Sequence, residues 1–580
     1  RYYRSTKVMY SVYPGVLQNW NWAALNTDQL TERSYTNDIH VINAFANYTK
    51  SLGQHNMQAM LGFNQELLQY KNMQVSGTDL LSETLNDLDL VTGDDPKVNG
   101  GALEYATRGV FGRVNYDYNG KYLIEASGRY DGTSRFPKKS RFGFFPSLSV
   151  GYRVSEEKFF PFKDIVDNLK IRYSLGRLGN QDVAHYAYIA SISAQTGSWT
   201  QNGSFIKRVV IPSPVADQLT WESATTNNIG VDLDILKNRL SLVADIYTRD
   251  TKDMLTQGRK LAAVFGASEP KENAADLRTK GYEISLSWRD QFKLLDKPFN
   301  YSITTIFADA TSKITKFDNP TGLLSSYRVG QKFGEIWGYT YDGFFETDEE
   351  AQEYTNRIKY TSVAPRNNSV AGLGAYSAGD IRILDINDDN IISSGAGTVD
   401  NPGDMKIIGN TTPRYSYGVS LSASWNGIDF YALFQGIGKK DWYPSSEATM
   451  FWGPYSRAYS SFIPTDFMDD VWTPENSDTY FPRLIGYIAL NSELSRPNTM
   501  YLQDVGYCKL RNLTVGYTLP EKITNKIDIS NLRLYVSGEN LITWTKLKSK
   551  YIDPEETMVN SDARTYPMGK TLSFGVELTF

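Results

Sequence analysis

The stretch Arg108–Phe160 restricts the fold more than any other part of the chain. It divides at Asn119-Gly120 into two segments of strict two-residue alternation. In the first, Val110, Gly112, Val114, Tyr116 and Tyr118 share one face, and Phe111, Arg113, Asn115, Asp117 and Asn119 share the other. In the second, Tyr122, Ile124, Ala126, Gly128 and Tyr130 oppose Lys121, Glu125, Ser127 and Arg129, with Leu123 the one misfit. A helix repeats every 3.6 residues, so this pattern marks half-buried strands. Asn-Gly between such runs is the hairpin dipeptide, because both central positions of the tight turn need positive φ. The apolar face ends in tyrosine rings, and the opposite face carries full charges. A soluble sandwich turns its apolar face inward and rarely ends it in tyrosine. An outer-membrane barrel turns that face to lipid, ends it at an aromatic girdle and keeps the charges in a wet lumen. On this reading Arg113, Asp117, Glu125 and Arg129 face the lumen.

Composition fits and excludes. The 580 residues are enough for a large core or several domains. With 60 basic and 65 acidic residues there is no basic excess to neutralise phosphates, so a nucleic-acid partner is not expected. A single cysteine, Cys508, excludes an internal disulfide framework and a cysteine-built zinc site. His40, His55 and His185 are too scattered for a metal or catalytic centre. No run approaches the length of a transmembrane helix, which a strand-built barrel does not need. Tyrosine (39) outnumbers phenylalanine (27), with 11 tryptophans besides, as suits membrane interfaces. A tyrosine-rich soluble β protein has the same composition. The chain begins Arg1-Tyr2-Tyr3, so a targeting segment is expected elsewhere in the precursor.

Taken in order, strands are predicted at Lys7–Tyr13, Ile39–Ser51, Asn56–Val75, the two segments above, Gly143–Arg153, Leu169–Leu178, Glu222–Ile235, Arg239–Arg249, Lys280–Trp288, Phe299–Thr311, Gly334–Phe345, Arg414–Trp425, Ile428–Gln435, Val505–Leu519, Leu532–Trp544 and Thr571–Phe580. Pro14–Arg33, with Trp20 and Trp22, reads as a loop. Short helices are drawn at Ser155–Asp167 and Thr347–Tyr360. Ile189–Gln218, Ser362–Pro402, Ile437–Asp504 and Lys546–Lys570 read as long loops. Short turns beside loops of tens of residues are the asymmetry of an outer-membrane barrel. No unit repeats at a fixed period, against a propeller.

Several of these stretches resemble the SusC/RagA-type TonB-dependent transporters: RGVFGRVNYDYNGKYLIEASGRYDGTSRF, FGFFPSLSVGYRVSEEKFF, GDIRILDINDDNII, IIGNTTPRYSYGVSLSASWNGIDFYALFQGIGKKDWY, LRNLTVGYTLP, GENLITWTK with IDPEE, and the terminal aromatic strand. They occur in family order from residue 100 to Phe580. The resemblance implies an all-β chain forming the C-terminal portion of a transmembrane antiparallel barrel, about 22 strands in full, with long extracellular loops. It implies TonB-dependent import across a Bacteroidetes-type outer membrane, a SusD-like surface lipoprotein over the mouth, and a TonB complex reached through N-terminal segments. The family's N-terminal domain, TonB box and plug are not matched in residues 1–580, so those functions find no residues here.

Two clusters stand out as candidate sites. Asp385, Asn387 and Asp389 place oxygens at positions one, three and five of an EF-hand-like loop, which suits Ca²⁺. Position six is Asn390 rather than Gly, and position twelve is Ala396 rather than Glu, so a solvated acidic turn is the competing reading. Trp442, Tyr443, Trp452 and Tyr455, with Trp472, sit in a long loop where rings stack on sugars or meet the lipoprotein, or pack on one another. Glu349-Glu350 lies in a charged helical stretch. No acid pair in a defined setting, nucleophile elbow or phosphate loop is present, so no enzyme and no required cofactor is expected. The reading is an importer of oligosaccharides, with oligopeptides as the alternative cargo. Two further alternatives are an all-β carbohydrate-binding protein or enzyme, and a passive porin.

Overall fold

The alternating segments pair, neighbour with neighbour, into one antiparallel sheet of sixteen strands. The computed structural model describes residues 2–5 and 29–580, apart from 83, 84, 86, 95, 211–213, 217, 259, 260, 263, 265, 268, 361–375, 460, 462, 492, 525, 527, 560 and 567. The strand expected at Lys7–Tyr13, and Trp20 and Trp22, lie outside the described residues.

The sheet begins with β1 (Tyr2–Ser5), β2 (Gln29–Leu52), β3 (His55–Thr78), β4 (Lys97–Tyr118), β5 (Tyr122–Thr133), β6 (Phe142–Arg153), β7 (Val166–Asn180) and β8 (Glu222–Ile235). It continues with β9 (Leu240–Gln257), β10 (Lys271–Leu294), β11 (Lys297–Lys316), β12 (Arg414–Trp425), β13 (Ile428–Lys439), β14 (Tyr507–Thr518), β15 (Asn531–Thr545) and β16 (Thr571–Thr579). Each strand pairs with the next, so the sheet is a meander. Several strands run well past their predicted ends; β2 and β3 each have 24 residues. Beyond the clean alternation polar residues occupy both faces there, and backbone pairing continues without a period-two signal.

Antiparallel order puts alternate connections at opposite ends. One end has the tight turns. Asn119 (φ 54°) and Gly120 (φ 68°) join β4 to β5, and Asn426 (φ 49°) and Gly427 (φ 86°) join β12 to β13. The other end carries the long segments 181–221, 317–413, 440–506 and 546–570. The last three pack into one extramembrane unit whose buried cluster includes Ile381, Ile392, Trp442, Phe451, Trp452, Tyr455, Phe481 and Tyr501.

The register aligns one apolar face across the sheet. Tyr116 lies opposite Ile124, Ile124 opposite Val150, Val150 opposite Tyr173 and Tyr173 opposite Ile229. Among the described residues nothing covers this face: Ile246 is 70% exposed and Phe574 82%. An uncovered apolar surface of this extent belongs in lipid. Among the described residues no helix is long and apolar enough to cross a membrane.

The structure corrects some local readings. Gly334–Phe345 is not a wall strand. It is interrupted at Tyr339-Thr340, and its pieces Glu335–Gly338 and Tyr341–Phe344 pair with Lys406–Asn410 and Ile381–Ile383 in the extramembrane unit. Ser155 caps no α-helix: Val154–Glu156 is a single 3₁₀ turn, and the Ser155 hydroxyl accepts from Leu169 N at 3.0 Å. The loop Ile189–Gln218 contains a hairpin, Ser193–Gln201 with Ser204–Val210. The helix drawn at Thr347–Tyr360 forms over Asp348–Arg357, where the Thr347 hydroxyl accepts from Glu350 N at 3.2 Å.

β16 pairs with β15 along Asn531–Glu539, and no described strand pairs with its other edge or with the outer edge of β1. The facing assignment makes a direct prediction. Ile124→Arg and Leu421→Arg put charge on the apolar face at a cost of ~2–4 kcal/mol each near the midplane, and should lower the yield of assembled, heat-modifiable protein in outer membranes. Ser127→Arg and Ser420→Arg, on the opposite face, should assemble normally; equal damage from both pairs would contradict the assignment.

Candidate functional site

The polar face of the sheet is a wall of paired charges. Arg172 on β7 lies opposite Gly230 on β8, and Gly230 lies opposite Asp245 on β9. The guanidinium crosses over Gly230 to reach Asp245, with Nη1 and Nη2 donating at 3.0 and 2.8 Å, while Nε donates to Asp232 at 2.8 Å. A Cβ at Gly230 would sit 2.6 Å from both the guanidinium carbon and Asp245 Oδ1. Glycine is therefore required so that a long side chain lies flat across a strand. The same arrangement recurs at Gly516, over which Arg533 donates to Asp429 at 2.9 and 2.7 Å. Bidentate pairs of this geometry hold charged groups in fixed places.

The four residues predicted for this wall all lie on the polar face, since Arg113 pairs in register with Ser127, Asn115 with Glu125 and Asp117 with Leu123. Their settings differ. Asp117 accepts from Gly120 N at 2.8 Å and closes the tight turn. Arg129 donates to Asp131 at 2.9 Å and lies 4.8 Å from the Phe111 ring centroid. Arg113 and Glu125 make no hydrogen bond or ion pair with the described residues.

The loop aromatics are placed differently from a presented binding surface. Trp452 and Tyr455 are fully buried and Trp442 nearly so. Their polar atoms point inward. Trp452 Nε1 donates to Ser445 O at 2.9 Å, Tyr455 OH to Pro482 O at 2.5 Å, and Tyr443 OH to Leu494 O at 2.8 Å. Burial pushes the hydroxyls of Tyr443 and Tyr501 well above their ordinary 10.0, so both stay protonated donors. Trp472 lies under Gly379, which has no room for a Cβ. Trp442, Trp452 and Tyr455 belong to the buried core of the extramembrane unit, and Tyr443 packs against it half-buried.

The unit is tied to the wall by a buried ion network that carried no assigned role in the sequence. Lys509 on β14 is 1% exposed; its Nζ donates to both oxygens of Asp553 at 2.6 Å and to Glu555 Oε2 at 2.8 Å. Arg511 also pairs with Glu555, and Tyr507 OH donates to Glu555 Oε1 at 2.7 Å. Asp553 and Glu555 belong to the IDPEE stretch. Burial raises the Glu555 carboxyl, but the hydrogen bonds and charges of Lys509, Tyr507 and Arg511 outweigh it and hold it below its ordinary 4.5.

The acidic loop is stitched to its own backbone. Asp385 Oδ2 accepts from Asn390 N at 2.8 Å, Asn387 Oδ1 from Asp389 N at 3.2 Å, and Asp389 Oδ1 from Ile391 N at 2.7 Å. Asp404, missed in the sequence, is fully buried beneath it and accepts from Ile386 N at 3.0 Å and Ser393 N at 2.8 Å. Among the described residues no three Asp, Glu, His or Cys side chains are grouped so as to hold a metal ion. The fold of this loop rests on Asx-type turns.

Comparison with known proteins adds the lineage. Residues 2–541 match the family described as TonB dependent receptor-like, beta-barrel. The chain is 27% identical over 566 residues to TonB-dependent receptor P3 of Formosa agariphila, covering 92% of this chain and 52% of that protein. It is 23% identical over 552 residues to TonB-dependent receptor SusC of Bacteroides thetaiotaomicron, covering 93% and 50%. The chain thus spans about half the length of the curated relatives it matches. Among solved structures, that of the RagAB peptide transporter superposes with a TM-score of 0.72 at 22% identity, covering 96% of this chain and 57% of the other.

The Lys509 network generates a prediction. A carboxylate held below its ordinary pKa contributes stability above that value and loses it as pH falls through the depressed one. Proteolytic cleavage within 546–570 should therefore be slow at pH 7 and rise once pH falls below about 4.5. Lys509→Ala leaves Asp553 without its cation and Glu555 with Arg511 alone, at a cost of about 3–5 kcal/mol, and should give the fast cleavage already at pH 7. Unchanged cleavage in the variant would show that the network does not anchor the unit.

Proposed function

The chain belongs to the TonB dependent receptor-like β-barrel family, and on that premise we propose that it forms most of the wall and the extracellular loops of an energised outer-membrane importer. The supporting observation is the two-faced sheet: apolar residues uncovered on one side, charges fixed in register on the other. That surface suits lipid outside and a wet lumen inside. The chain is a transporter segment and not an enzyme. The two outer edges of the sheet, at β1 and β16, call for further strands, because lipid offers no partner to free N–H and C=O groups. The relatives' greater length suits that completion, together with a lumen-filling part through which TonB acts.

For the cargo, the oligopeptide is the reading the side chains favour over the oligosaccharide. Of the rings expected to stack on sugars, Trp442, Trp452 and Tyr455 are buried in the core of the loop unit, and Tyr443 packs against it half-buried. What remains on the inner wall is a pattern of carboxylates, guanidinium groups and amides, which matches the charges and amides of a peptide. A SusD-like surface lipoprotein over the extracellular loops completes the proposed assembly.

Uptake in a strain lacking the gene tests this. Complementation with the full-length protein should restore accumulation of a defined oligopeptide mixture, and deletion of TonB should abolish it. Accumulation that persists without TonB would indicate a passive pore. Restoration of oligosaccharide uptake alone would reverse the cargo assignment.

A further inference from the structure

We infer that the inner wall between β4 and β8 carries a binding site for a cationic group, an ammonium or guanidinium, centred on Glu125. The inference rests on the lumen reading above. The register sets Asn115 opposite Glu125, Glu125 opposite Ser149, Ser149 opposite Ser174 and Ser174 opposite Asn228. Five polar side chains from five successive strands thus stand at one level of the wall. They line a concavity of about 550 Å³, which Asp117, Lys170 and Arg172 complete at its lower side.

Within this concavity the two cations are occupied and Glu125 is left over. Arg172 is saturated by Asp232 and Asp245. Lys170 Nζ lies 3.6 Å from Asp232, and the Asn228 amide donates to Asp245 at 2.6 Å. By contrast, the carbonyl oxygens of Asn115 and Asn228 are buried with no hydrogen-bond partner. Glu125 is half-buried and has no hydrogen-bond or ionic partner among the described residues. Of the charged side chains that line the concavity, Asp117 and Glu125 are acidic, and the two cations, Lys170 and Arg172, are engaged by Asp232 and Asp245 outside the lining. A carboxylate partly removed from water and without a counter-charge is unfavourable, and a cation bearing several N–H donors relieves it. An anion is repelled by Glu125, and a neutral hydroxyl lacks the charge-assisted bond that a cation makes to it.

The group has two sources: a basic side chain from the part of the same polypeptide that fills the lumen, or a cationic group on passing cargo. Thiol labelling of the full-length protein in membranes separates them. Ser149→Cys is reacted with trimethylammonium and with sulfonate thiosulfonate reagents, each rate taken relative to a free thiol, with and without Glu125→Gln; Leu148→Cys reports the opposite face. If cargo is the source, the site is open, the cationic reagent is favoured by about tenfold, and Glu125→Gln removes the preference. If the protein's own side chain is the source, Ser149→Cys is shielded from both reagents and Glu125→Gln admits them. Equal rates, a preference that survives Glu125→Gln, or shielding that Glu125→Gln does not relieve would overturn the site. Labelling of Leu148→Cys in place of Ser149→Cys would instead overturn the facing of the wall, and the proposed function with it.

Discussion

Every backbone N–H and C=O that enters the hydrocarbon core must find its partner inside the protein, and the rest of this structure depends on that requirement. Unpaired groups there cost several kcal/mol each (roughly the price of an amide buried without a bond). The meander answers it by pairing each strand with its sequence neighbour through fifteen consecutive ladders. Once the backbone is committed to extended pairing, side chains alternate of necessity, and the two faces meet different solvents. The tyrosine-ended apolar face, the charged inner face and the tight Asn-Gly turns are consequences of that single commitment.

The inner face then has its own problem, because charges held close together on a rigid wall must be neutralised without filling the lumen. The wall meets it with glycine gaps. At Gly230 and Gly516 the missing Cβ lets Arg172 and Arg533 lie flat across a strand and neutralise an aspartate on the next one. At the extracellular end the constraint reverses. Water is available, so long segments fold around an aromatic core of their own, and the buried Lys509 network fastens that core to β14.

The strands, their facing, the tight turns and the loop-heavy end were legible because each has a local signal: period two, Asn-Gly, or length. What was not legible is pairwise. That Arg172 meets Asp245 depends on the register of three strands, and nothing in the local sequence around either residue reports it. Lys509 and the IDPEE stretch are 44 residues apart along the chain at their closest pairing, and only the folded loop brings them together. Trp442, Trp452 and Tyr455 were visible as loop aromatics, but a ring that stacks on a ligand and a ring that packs in a core have the same letters. Their burial in the loop unit is a property of the fold and not of the letters. The acidic loop was legible as a turn of Asp and Asn, and the buried Asp404 that holds it from below was not.

Spin labels placed one at a time along β12 would test the central claim most directly. In membranes, collision with dissolved oxygen should peak at Val419, Leu421 and Ala423, and collision with a water-soluble nickel chelate at Ser420, Ser422 and Ser424. The two profiles should be out of phase with a period of two residues. Profiles that rise together, or that show no two-residue period, would contradict a sheet with lipid on one side and a wet lumen on the other.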